Sequence, residues 1–380
     1  MKKPMIRFNK RLTQILALIV SVFCVLNLVI PDSDKSAVEN RSLQKFPSLS
    51  ASSLKDGEFF SELNSWYSDQ FLGRDQFMQL KYAVNKLTGT KQINDVFLGK
   101  GVLIEDVSEV NTEQKERNIA AINTFCTSSG VPSYFLLAPN AVSIQKDKLP
   151  AFATVKDQNQ QIDDYYAKLD PSIQKVDVRK TLEKHKEEYL YYKTDHHWTS
   201  LAAFYSFQDL ASMMGLGEVS KDNYNIYPVT TSFEGTLAGK VGSVLLKDQI
   251  DIYVPKDNDE YIMSDLTNAT TSRSIYSSKA LETRDQYTVF LGGNSGRITL
   301  EMNNNSDRHL LLIKDSYANT MIQFLIPYFR TIDIIDPRYY YEDVSNLLET
   351  QLITDVLFLY NSNTLMQDTS MADCLSVEAE

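Results

Sequence analysis

Apolar positions in this chain fall into three kinds of run. The first is continuous: LTQILALIVSVFCVLNLVI, Leu12 to Ile30, carries no charge before Pro31 and Asp32. Roughly 20 apolar residues cross bilayer hydrocarbon as a helix. The second recurs at helical spacing. Between Leu54 and Leu87, residues Phe59, Phe60, Leu63, Trp66, Tyr67 and Phe71 share a face, and Gly73 divides the stretch. That predicts two helices joined near FLGRD. The third kind is short and dense: SYFLLA (Ser133–Ala138), KVDV (Lys175–Val178), TVFLGGN (Thr288–Asn294), HLLLIKDS (His309–Ser316), TIDIID (Thr331–Asp336) and DVLFLYN (Asp355–Asn361). These read as strands. Helical stretches alternate with them at Thr112–Cys126, Asp157–Leu169, Thr199–Met214, about Tyr317–Phe329 and near Tyr341–Thr350. A hairpin with a glycine turn fits Asp95–Ile104. Densely apolar strands alternating with helices imply a mostly parallel sheet covered on both faces, an α/β sandwich. Residues from about 218 to 287, rich in Thr, Ser, Asn and Asp, break the rhythm and read as an insertion within one domain.

Charge gives the first apolar run a direction. Residues 1–11 hold Lys2, Lys3, Arg7, Lys10 and Arg11 and no acid, a flank expected to stay in the cytoplasm. Leu28-Val29-Ile30 offers no small residues for a cleavage point, so the expectation is an uncleaved signal anchor. A cleaved signal peptide and a buried core helix remain the alternatives. The expected organisation is a cytoplasmic tail at 1–11, a transmembrane anchor at 12–30, a Ser- and Pro-containing linker at 31–53, and an extracytoplasmic domain at 54–380. The net charge is −11 although the tail is basic, so the remainder is strongly acidic. An acidic surface argues against nucleic-acid binding. Of three cysteines, only Cys126 and Cys374 lie beyond the apolar run, which excludes a disulfide scaffold.

Candidate chemistry gathers at strand ends, where open parallel sheets bind ligands. In LLLIKDSYANT, Ser316 stands where a strand gives way to a helix. Backbone N–H groups there favour developing negative charge, although Ser316 or Asp315 serves equally well as a plain helix cap. In YYKTDHHWTS, Asp195 and His197 are two apart, on one side of an extended segment. His197 would take the proton from Ser316 and Asp195 would orient His197. His196 would point the other way, and Trp198 would wall the pocket. In LGGNSG, Gly292 and Gly293 permit close backbone approach and Asn294 could donate to an oxyanion; a plain turn fits as well. Zinc needs three or four ligands, and His185 and His309 form no spaced pair, so neither a metal nor another cofactor is expected.

Several motifs in order, VENRSLQKFP, DQFLGRDQF, DVFLGKGVLI, TDHHWT, FLGGN, KDSYANT, IDPRYYY and VLFLYN, resemble the DHHW proteins, relatives of the alginate O-acetylation proteins in the SGNH-hydrolase superfamily. The resemblance implies an SGNH-hydrolase-like (flavodoxin-like) three-layer α/β/α sandwich. It implies a Ser-His-Asp set in the permuted order Asp195, His197, Ser316. Tyr317 and Arg338, inside matching motifs, join Asn294, Gly293, Trp198 and His196 as oxyanion or substrate-binding candidates. Lys314-Asp315 departs from the glycine-aspartate pair usual before the serine. The acidic stretch beyond Leu365 is too short for an appended carbohydrate-binding domain.

The function implied is O-acetyl transfer to a cell-surface or secreted polysaccharide, with a multispanning membrane acyltransferase as acetyl donor and the protein held in the cell membrane by 12–30. A carbohydrate acetylesterase using the same residues and a non-catalytic glycan-binding envelope protein are the alternatives.

Overall fold

The computed structural model describes residues 2–36, 38, 41–257 and 260–375. The last five residues of the acidic C-terminal stretch lie outside that range. The chain divides into two compact units, residues 1–89 with 241–243, and residues 90–240 with 244–380.

In the first unit, α1 runs Lys2–Val29, α2 Glu58–Asp69 and α3 Arg74–Leu87. The window Lys10–Asn27 of α1 is long and apolar enough to cross a membrane, and none of it is buried in the protein. The break between α2 and α3 falls at Gly73, whose φ of +74° suits a residue without a Cβ.

The second unit is built on an eight-stranded sheet. In chain order its strands are β1 (Ser133–Ala138), β2 (Gln174–Val176), β3 (Tyr261–Asp265), β4 (Thr270–Ser272), β5 (Arg297–Met302), β6 (His309–Lys314), β7 (Thr331–Ile335) and β8 (Asp355–Asn361). Their spatial order is β4-β3-β5-β7-β6-β8-β1-β2. The half from β7 to β2 is parallel; β5, β3 and β4 extend it antiparallel. Alternate residues of each central strand enter opposite cores. Leu310, Leu312, Ile332, Ile334, Leu357 and Leu359 pack toward helix Ser200–Met214. Leu311, Ile313, Ile335, Val356 and Phe358 pack toward α4 (Thr112–Ser129) and α5 (Gln158–Lys168). Strands buried on both faces explain the dense apolar runs, and the result is three layers. The helix at Ser200–Met214 is α6, capped by the Thr199 hydroxyl.

Three expectations fail for local reasons. TVFLGGN is not a strand: Gln286–Val289 forms a 3-10 turn, and Leu291, Gly292 and Gly293 all have positive φ, 63°, 77° and 118°. Its apolar character reflects burial of Val289, Phe290 and Leu291 in a loop. The helix expected at Tyr317–Phe329 is broken into a 3-10 turn at Ser316–Thr320, one α-helical turn at Ile322–Leu325 and another 3-10 turn at Ile326–Tyr328. Pro327 and side-chain bonds to the first turn compete with a regular helix there. The helix near Tyr341–Thr350 shortens to Ser345–Thr350. Strand β5, RITLEM, went unread because it is half-buried and alternates, with Ile298, Leu300 and Met302 inside. Within the 218–287 stretch, β3 and β4 join the main sheet, while Tyr224–Phe233 and Asp248–Pro255 pair as a separate hairpin.

Candidate active site

The parallel strands all end at one edge of the sheet. Pro139-Asn140 follows β1, Asp315-Ser316 follows β6, Asp336 follows β7, and β8 ends at Asn361. The loop Lys193–His197 comes to the same place. It is closed by a bridge between Tyr191 and Trp198, so it bends sharply and is not extended.

That bend brings Asp195, His197 and Ser316 into one chain of hydrogen bonds. His197 Nδ1 lies 2.6 Å from Asp195 Oδ1, and His197 Nε2 lies 2.8 Å from Ser316 Oγ. A carboxylate only accepts, so Nδ1 carries the proton and Nε2 is left to accept from the serine hydroxyl. The His197 N–H also donates to Asp195 Oδ1 at 3.0 Å. Thr236 donates to Asp195 Oδ2 from both its N–H (2.8 Å) and its hydroxyl (3.0 Å). The hydroxyl proton of Thr236 is thereby spent, so Thr236 Oγ1 accepts from His196 Nδ1, 2.8 Å away. The close approach that makes this possible needs Gly235, where a Cβ would fall 2.2 Å from the Asp195 Cβ.

His197 is clamped from both sides. The Tyr287 ring lies parallel to it at 3.8 Å (12°), and the His196 ring covers the other face at 3.9 Å (36°). The two histidine rings are therefore in face contact, tilted to each other, and the expectation that His196 points away fails because the loop is bent. Burial pulls His197 down to about 4, His196 adding to this and Asp195 opposing it, so the ring is neutral at neutral pH. Burial alone would raise Asp195, but the two imidazoles and the Thr236 amide hold it well below the usual carboxylate range. Asp195 and Ser316 differ in access: the acid is buried and the serine half-buried.

The remaining candidates sort by burial. Trp198 walls no open site. It is fully buried, and Nε1 donates to Tyr317 O at 2.9 Å and to Thr320 Oγ1 at 2.8 Å, pinning the serine turn. Tyr317 is also fully buried, its hydroxyl donating to the His196 carbonyl, which leaves it no substrate face. The Tyr317 N–H expected to face an oxyanion instead donates to Asp315 Oδ1 at 2.8 Å. Asp315 Oδ2 accepts from Asn361 N–H and Nδ2 at 2.9 and 2.5 Å, and burial pushes its carboxyl up to about 6. Asn294 Oδ1 accepts from Lys314 Nζ and from Asn319 Nδ2, both at 3.2 Å, so its amide nitrogen is the end left to donate. Gly293 lies beside it in the turn. Lys314, in place of the usual glycine, is fully buried 3.4 Å from Asp336, which Arg338 also grips at 2.6 Å. Burial pulls the Lys314 ammonium down. Arg338 is thus held by an acid partner.

Sequence reasoning missed Tyr287, Thr236 and Gly235. Tyr287 also donates to the Ser316 carbonyl at 2.9 Å. No local pattern marks them, because all three come from the stretch following α6 and meet the site only through the fold. Asp195, His196 and His197 offer ligand atoms within 4.8 Å of one another, but Nδ1 of each histidine and both Asp195 oxygens are already hydrogen-bonded. Cavities of about 480 Å³ at Tyr261, Arg273 and Arg330, and of about 690 Å³ at Lys146, Asp177 and Arg179, lie away from these residues.

Solved structures share the architecture. A DHHW family protein from Eubacterium siraeum is 22% identical with a TM-score of 0.66, covering 76% of this chain and 98% of its own. Bacillus cereus PatB1 is 22% identical with a TM-score of 0.63, covering 72% and 98%. The same protein with a sulfonyl adduct gives 22% and 0.62, covering 72% and 96%. No curated protein matches the chain in sequence. The pattern of the DHHW protein family matches residues 39–126 and 107–335, most of the chain, and the chain belongs to that family.

Proposed function

We propose that this protein is an extracytoplasmic O-acetyltransferase acting on a cell-surface or secreted polysaccharide. The observation that supports it best is the continuous chain Asp195–His197–Ser316, with a neutral imidazole set between a buried carboxylate and an accessible hydroxyl. Ser316 Oγ attacks the acetyl carbonyl as His197 Nε2 takes its proton. The donor's leaving group departs with that proton, and an acetyl-serine remains. A sugar hydroxyl then attacks the ester, giving its proton to Nε2, which returns it to Ser316 Oγ. Asp195 stays ionised and stabilises the imidazolium. Oxyanion donors available at this strand end are the Ser316 N–H and Asn294 Nδ2, since the Tyr317 N–H is committed to Asp315. The stacked Tyr287 and the tilted His196 ring keep the imidazole in the plane that points Nε2 at the serine.

In this reading residues 12–30 anchor the chain, residues 31–53 link it, and the domain from 54 onward, with its insertion at about 218–287, works outside the cell. A multispanning membrane acyltransferase would supply the acetyl group. The test is a strain carrying Ser316→Ala with normal protein level: bound acetyl on the envelope polysaccharide should fall to background, and retained acetylation would rule the reading out. Loss of acetyl ester cleavage without loss of transfer would assign the site to an esterase.

A further inference from the structure

Helices α2 and α3 carry apolar faces that their own unit leaves open. No residue of α2 is buried, and Tyr82 alone is buried in α3. Phe77, Leu80, Val84 and Leu87 of α3 are 51%, 58%, 48% and 87% exposed, and Phe60 and Tyr67 of α2 are 61% and 45% exposed. The α3 residues follow one another at helical spacing, so they form a single stripe. An apolar stripe of this length on a soluble surface is a contact surface for something.

The corner between the helices shows what that something is. The Leu72 N–H donates to Asn27 Oδ1 of α1 at 2.7 Å. Phe71 stacks on Phe23 of α1, with centroids 6.0 Å apart and planes 9° apart. Tyr67 and Phe77 pack on Phe71 at 5.7 and 5.6 Å. Phe23 and Asn27 lie at the end of the apolar window Lys10–Asn27. A helix crossing with that window puts Phe23 near the outer edge of the hydrocarbon and Asn27 at the headgroups. The aromatic corner sits at the same depth, where aromatic residues anchor membrane proteins. From that corner α3 carries its stripe onward, with the exposed Lys81 beside it.

We infer that α3 lies in the outer leaflet of the bilayer as an interfacial helix, its Phe77–Leu80–Val84–Leu87 stripe inserted among acyl chains and Lys81 at the phospholipid headgroups. The inference rests on α1 crossing the membrane, with Lys10–Asn27 as the spanning window. A second copy of the chain could also cover such a stripe, but the contact with α1 selects lipid, because it holds the start of the stripe at the membrane whatever the oligomeric state.

The test reconstitutes the full chain, alone, into vesicles of phosphatidylcholine and phosphatidylglycerol containing a phospholipid with a photoactivatable diazirine in one acyl chain. Adducts are mapped by peptide mass spectrometry. The expected result is labelling of α1 between Leu12 and Leu26, and of α3 at Phe77, Leu80, Val84 and Leu87 but not at Asp75 or Asn85. The double variant Leu80→Glu, Val84→Glu should lose the α3 adducts several-fold and keep those of α1. Labelled α1 with unlabelled α3 overturns the inference, as do α3-to-α3 cross-links between chains in place of lipid adducts. An unlabelled α1 overturns the anchor reading instead, so the two failures are distinct.

Discussion

Helices α6 and α3 are apolar-rich stretches of similar length, and they end in opposite environments. Helix α6 buries Ala202, Phe204, Phe207, Leu210 and Met214 against the sheet, and Phe204 and Phe207 meet Phe324 at 5.4 and 5.8 Å. Helix α3 leaves Phe77, Leu80, Val84 and Leu87 in the open. A period of apolar residues shows which side of a helix avoids water, but not whether protein or lipid covers it. The difference has a functional counterpart. Helix α6 is capped by Thr199, two residues after the Asp195–His197 bend, and its packing fixes where that bend can go. Helix α3 fixes no chemistry; its face is free for contact.

Substitutions can sharpen or break this contrast. The largest effect is expected at the fixed end. Asp195→Asn removes the acceptor that selects the His197 tautomer, and acetyl ester turnover should fall by about 10⁴-fold with the fold intact. A fall of less than about tenfold would mean that the bend is packing alone. Next come the two helices themselves, compared by denaturation of the full chain in detergent. Phe207→Ala should cost about 3–5 kcal/mol of stability, and Leu80→Ser should stay within about 0.5 kcal/mol. A large cost at Leu80 would place protein, not lipid, over α3.

The smallest effect near neutrality is the pH dependence. His197 must be neutral to accept a proton, and burial has moved it down to about 4. Protonation therefore removes the base only below that value. The kcat/KM for a soluble acetyl ester should be flat on the acid side down to about pH 4 and fall below it. A limb near the ordinary histidine value of about 6.5 would mean that the ring is less enclosed than its packing between Tyr287 and His196 implies.

The sequence made the parallel strands legible because both faces are buried, so β1, β6, β7 and β8 stand out as dense apolar runs. It hid β5, which alternates, and it made a loop of TVFLGGN look like a strand, since buried apolar residues read alike in either. Asp195, His197 and Ser316 could be singled out by residue chemistry and strand-end position. Their supports could not. Gly235 and Thr236 lie about 40 positions from Asp195, Tyr287 about 30 from Ser316, and only the fold makes them neighbours. His196 and Trp198 were misread for one shared reason: an extended segment was assumed where the Tyr191–Trp198 bridge closes a bend.

In the proposed mechanism His197 makes Ser316 a nucleophile. It is tested most directly by treating the purified full chain with a sulfonyl fluoride and measuring intact mass and the modified peptide. One adduct is expected, on Ser316, formed rapidly by the native protein and lost in Ser316→Ala and in His197→Gln. An unmodified native protein, or equal labelling of the native chain and the His197→Gln variant, would contradict it.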